Sequence, residues 1–131
     1  KTAVNEVLSL ADFAWISFAH LPVLKTNSPN KFFDAIAAGK PILVNHKGWV
    51  YDLVKSHHLG ISCLPTKTDK AFEQLEELEM RPEKLLEMGK NSRRLAESYF
   101  SKEQAISRLI HCIDPEANAS EQADEVDIQT A

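Results

Sequence analysis

The sequence predicts an α/β fold, a parallel sheet with flanking helices followed by a group of C-terminal helices. Three observations predict it. Short apolar runs at residues 13–19, 42–44 and 61–64 are separated by stretches of helical periodicity, and such alternation is connected by right-handed crossovers into a parallel sheet. The first run is nearly continuous rather than alternating, as in a strand buried on both faces. Glycine, proline and capping residues punctuate the joints.

Val4, Val7, Leu8 and Ala11 repeat at i, i+3, i+4 and i+7, which makes residues 2–11 the end of a helix. The run from Phe13 to Ala19 follows as a strand, and His20 to Asn27 form a loop. Ser28 offers a cap oxygen, Pro29 suits a first helical turn, and Phe32, Phe33, Ile36 and Ala37 share one face. Gly39 is placed to end that helix. Ile42 to Val44 form the second strand, Gly48 lies in the turn after it, and Val50, Leu53 and Val54 mark the next helix, which Gly60 is expected to close. Ile61 to Leu64 form the third strand, with Pro65, Thr66 and Thr68 at its exit. Three helices finish the chain. One near 69–79 should bury Ala71, Phe72, Leu75 and Leu78, and one from Pro82 carries Leu85, Leu86 and Leu95. The last starts at Ser101, which forms a capping-box pair with Gln104, and Ala105, Ile106, Leu109, Ile110 and Ile113 give it an apolar stripe.

With 131 residues, 26% charged and 44% hydrophobic, the chain has the composition of a folded globular domain. No run reaches the roughly 18 apolar residues of a membrane span, and the start has no signal pattern, so a cytoplasmic location is expected. Cys63 and Cys112 have neither a disulfide-framework nor a zinc spacing. Residues 114–131 hold six acids and no Lys or Arg, which leaves 15 basic against 13 acidic side chains, a formal +2, ahead of them. That segment is expected to be a flexible acidic tail appended to a domain over residues 1–113. The body lacks the dense basic face with interleaved aromatics that nucleic acid requires, so nucleic acid is not an expected partner. The opening half-helix follows no strand, and three strands are few for such a sheet, so a preceding segment or a complementary chain is expected to complete it.

In open α/β sheets, ligands bind beyond the carboxyl ends of the strands. This rule directs attention to residues 20–34. There a loop delivers the chain into a helix whose first N–H groups and positive dipole end suit a phosphate, with Lys25 and Lys31 nearby. Asp34 lies one and a half turns on, where a carboxylate could accept from sugar hydroxyls. His20 stands at the same edge and serves equally as a ligand group or as a donor to a neighbouring carbonyl. His57, His58 and His46 have no carboxylate at ligand spacing, so no metal is expected. No G-x-S-x-G, G-x-G-x-x-G or Walker pattern occurs, and Cys63 reads as a small buried hydrophobe.

The stretch Ser28-Pro29-Asn30-Lys31-Phe32-Phe33-Asp34-Ala35-Ile36-Ala37-Ala38-Gly39-Lys40-Pro41-Ile42 resembles the donor-binding segment of family 4 glycosyltransferases of the two-domain GT-B fold, in the Pro-Asn-Lys form of bacterial members. Ala11-Asp12, Gly48, Gly60, Met88-Gly89-Lys90-Asn91 and Tyr99-Phe100-Ser101 resemble later landmarks of that family, and the resemblance covers about residues 3–112. It implies a partial Rossmann-like domain, the C-terminal part of the donor domain. It implies a retaining transfer from a nucleotide sugar such as a UDP- or GDP-sugar, in bacterial surface polysaccharide assembly, with the full enzyme able to work at the membrane periphery. It also implies that Asp34 holds the nucleotide ribose and that Asn27, Ser28, Asn30 and Lys31 face the diphosphate and the sugar. Thr26 stands where the family has its first glutamate, so no catalytic residue is assigned. No cofactor is implied, since the nucleotide sugar is a substrate. A half-site subunit needing a partner chain and a nucleotide-sugar 2-epimerase are the alternatives.

Overall fold

The computed structural model describes residues 2–113, and the acidic segment 114–131 lies outside the described residues. The order is helix α1 (Thr2–Leu10), strand β1 (Ala14–Ile16), a 3-10 helix (Pro22–Thr26), α2 (Asn30–Ala37), β2 (Ile42–Val44), α3 (Trp49–Ser56) and β3 (Gly60–Ser62). Three helices follow, α4 (Thr68–Glu79), α5 (Pro82–Tyr99) and α6 (Lys102–Ile113). The chain divides into two compact units, residues 1–97 and a second that begins at Ser98.

The α/β class is present as a three-stranded parallel sheet in the order β1-β2-β3. Its register pairs Trp15 with Leu43 and Leu43 with Ile61, so these three side chains share one face while Ile16 and Val44 share the other. A single apolar cluster joins Ile16, Ile42 and Val44 to Phe32 and Ile36 of α2 and to Val50 and Val54 of α3. Both crossover helices thus cover one face, as right-handed connections between strands in sequential order require. Each of these side chains contributes about 1.5–3 kcal/mol by leaving water. Among the described residues no helix is long and apolar enough to cross a membrane.

Local signals and observed joints agree at Gly39, which takes φ +67° after α2. Its N–H donates to the Ile36 carbonyl and the Lys40 N–H donates to that of Ala35, both at 3.0 Å, the paired bonds of a Schellman motif. Ser101 caps α6 as its sequence predicts, its Oγ accepting from the Gln104 N–H at 3.2 Å.

Four expectations are corrected. The expected cap Ser28 is displaced by Pro29, which occupies the cap position of α2 and bonds no N–H through a side chain. Proline's fixed φ suits the extended cap conformation as well as the first turn, and here the chain turns one residue later. The first strand is short and one-sided, since Trp15 is 59% exposed between buried Ala14 and Ile16. It is an edge strand, and its second face has less to pack against than a central strand has. The residue that closes α3 is His58, at φ +53°, while Gly60 opens β3. Glycine is needed at that point because a Cβ would run into the backbone of Ile42. Phe72 of α4, expected to be buried, faces outward, because the helix turns only Ala71 and Leu78 fully inward. The α1 stripe is also largely exposed, with only Leu8 of its large side chains packed on the core. In α6, Ile106, Leu109, Ile110 and Ile113 are exposed among the described residues, so that stripe marks the helix without burying it.

Candidate functional site

Three parallel strands end at one edge, and their exits enclose a cleft of about 420 Å³. The exit of β1 supplies His20, Leu21, Leu24 and Lys25, that of β2 supplies His46 and Lys47, and that of β3 supplies Leu64 and Thr66. The lining contains no carboxylate. Its size falls in the range of small-ligand sites, and its position is the one that parallel topology favours.

The wall is held by Asn45, just past β2. Its Oδ1 accepts from the Phe18 N–H at 2.9 Å, and its Nδ2 donates to the Phe18 carbonyl at 3.1 Å and to Ser17 Oγ at 3.3 Å. Phe18, fixed in this way, meets His46 edge to face with centroids 4.9 Å apart. The Lys31 ammonium stands 4.9 Å from the Phe18 centroid and donates to the Ser17 carbonyl at 3.3 Å. His46 is only 5% exposed, and its Nδ1 has no hydrogen-bond partner. Such an unmet buried polar atom costs about 1–3 kcal/mol. Burial holds the His46 imidazole below its ordinary range, and the charges of His20 and Lys31 push it the same way. Neutral imidazole is therefore the form present near neutral pH.

The six residues of the sequence-derived site are only partly gathered. Thr26 Oγ1 donates to the Val23 carbonyl at 3.2 Å within the 3-10 helix, so it is a turn-closing hydroxyl. The Asn27 carbonyl accepts from Trp49 Nε1 at 2.8 Å, which pins the motif loop to the start of α3. That approach depends on Gly48, whose φ of +145° and tight contact with the Lys25 backbone exclude a side chain. Ser28 and Asn30 are exposed at the start of α2, and Lys31 reaches back to β1. Asp34 opens elsewhere, into a concavity of about 630 Å³ shared with Asn5 and Ser9 of α1, Lys40 and Arg93. There the Lys40 ammonium donates to the Ser9 carbonyl at 3.2 Å, and the Arg93 guanidinium reaches both Glu97 and the Ala37 carbonyl. None of the six lines the strand-exit cleft.

The cleft residues that motif reading passed over are His46 and Lys47. Their signal was positional, since each lies within the few residues after a strand where parallel sheets present ligand groups. Among the described residues, no group of three or more His, Cys, Asp or Glu side chains is placed to share a metal ion. Comparison of the chain with protein-family models, with curated proteins and with solved structures found no match.

Proposed function

We propose that the chain supplies half of the donor site of a retaining GT-B glycosyltransferase, in a partial Rossmann-like domain. The observation that carries this reading is the placement of the segment from Asn27 to Lys31. It leads from the 3-10 helix that follows β1 into the N-terminus of α2, its Lys31 reaching back to the Ser17 carbonyl and its loop pinned by Trp49. The first N–H groups of a helix have no intrahelical acceptor and carry the positive end of its dipole, so they suit a diphosphate. In this reading those N–H groups and Lys31 stabilise the departing nucleoside diphosphate, and Asp34 accepts hydrogen bonds from the ribose. The acceptor and the remaining donor contacts come from a complementary segment. The outer edge of β1, an end strand with Trp15 exposed, favours completion by a further strand.

The test is thermal unfolding of the chain with UDP, GDP, ADP and CDP, since a ligand that binds only the native state raises the midpoint. One nucleotide should raise it selectively. Asp34→Ala should weaken that binding by about 1.5–3 kcal/mol, the range for a hydrogen bond to a charged group, without lowering the ligand-free midpoint. Equal affinity in wild type and Asp34→Ala would remove the ribose assignment.

A further inference from the structure

We propose that the strand-exit cleft is a second binding site, for a monophosphate ester with an apolar organic group, in which Lys25, Lys47, His20 and His46 take the phosphoryl oxygens. This site stands apart from the donor reading, because none of the residues assigned to the donor lines it.

Two independent observations point to a ligand. The first is the lining. Four nitrogen bases from two strand exits meet there with no carboxylate to balance them, and the walls between them are apolar, from Leu21, Leu24 and Leu64. Among the described residues the side chains of Lys25 and Lys47 take part in no ion pair or hydrogen bond, so both ammonium groups are available to an anion. The second is His46. It forms part of the cleft wall, is 5% exposed, and has an Nδ1 with no partner. A ligand oxygen that reaches this ring recovers a hydrogen bond that the free protein lacks.

The chemistry narrows the class. A dianionic head offsets the crowding of His20, Lys25 and Lys47, which a neutral or cationic ligand would not. Inorganic phosphate alone would leave the leucine walls wet, whereas an ester with an aryl or alkyl group covers them. Both kinds of ester share this chemistry, so the two are separate arms of the test.

Phenyl phosphate and hexyl phosphate are titrated into the full chain, with inorganic phosphate alongside, and the imidazole resonances of the histidines and the unfolding midpoint are followed. At least one ester should shift the His46 resonances, raise the midpoint, and bind about tenfold or more tightly than inorganic phosphate. The double variant Lys25→Ala/Lys47→Ala changes only exposed side chains, so its fold is not at stake, and it should weaken the ester about tenfold or more. Asp34→Ala should bind it as the wild type does. Absence of binding by both esters, equal affinity for ester and inorganic phosphate, or binding that depends on Asp34 and not on the two lysines would each overturn the proposal. The nucleotide titration with Asp34→Ala reads the donor assignment separately, so either reading can fail alone.

Discussion

His46 combines a buried ring, an unmet nitrogen and two neighbouring bases, and this combination sets a pH dependence. Its folded-state pKa lies below its unfolded value of about 6.5, so between the two the unfolded chain binds more protons than the native state. Stability should therefore fall as the pH drops below about 6.5, until the folded-state pKa is passed. The urea midpoint should decline between pH 7 and pH 5.5, and less steeply in His46→Phe. Equal slopes would remove His46 as the source of the effect. At Gly60, a methyl group would meet the Ile42 backbone, so Gly60→Ala should cost about 1–3 kcal/mol or more, measured as a lower urea midpoint at unchanged slope. These two residues also show what was legible. Gly39 could be read from sequence because a helix end asks for φ above zero within a few residues. Gly60 offers the same local signal, yet its role is set by β2, a strand that lies far from it in sequence. Likewise the sequence around His46 shows only a histidine with no carboxylate at ligand spacing, because its neighbours His20, Phe18 and Lys31 arrive through the fold.

At the scale of elements, α2 carries the most. Phe32 and Ile36 are fully buried against the sheet, and Phe32 meets Phe33 and Trp49 with ring centroids 5.6 Å away in each case. Phe32→Ala should cost about 3–5 kcal/mol, read from chemical unfolding, and should free the motif loop from Trp49. Between α4 and α5, Glu77 contacts Arg81 at 3.2 Å and Lys84 at 2.7 Å, and the hydrogen bond from Lys84 holds its carboxyl below the usual range. The three side chains are 42% to 53% exposed, so removing these two ion pairs by Glu77→Ala should leave the midpoint nearly unchanged. The helices α2 and α3, and β2 between them, were legible because their periodicity, glycines and cap positions lie within a few residues. Strand burial was not. Whether a run such as 13–19 is covered on both faces depends on its rank in the sheet, and the edge position of β1 leaves Trp15 outside. The stripe of α6 marks a helix, while the partner that a stripe asks for is a separate matter.

At the scale of the whole molecule, every buried apolar residue of the described chain lies at or before Leu95, inside the first unit. A chain ending at Phe100 should therefore unfold cooperatively, with a midpoint within a few degrees of the full chain by circular dichroism. A collapse of the transition would show that residues beyond 100 hold the sheet together. Topology alone directs the search for a ligand site to the carboxyl edge of the sheet, where the cleft lies, but no local pattern foretells that Asp34 opens into a separate concavity shared with Ser9 and Lys40, which precede β1 and β2. The Asn45 side chain fastens the strand exits in a further way. By donating to and accepting from the backbone of Phe18, it acts as an extra rung of the β1–β2 ladder, built from an amide side chain where the main chains have already diverged. The exits of β1 and β2 are thereby fastened into one rigid corner. His46 packs edge to face on Phe18 and the Lys31 ammonium stands over the same ring, so one corner shapes the cleft wall and ties the first turn of α2 to the chain leaving β1.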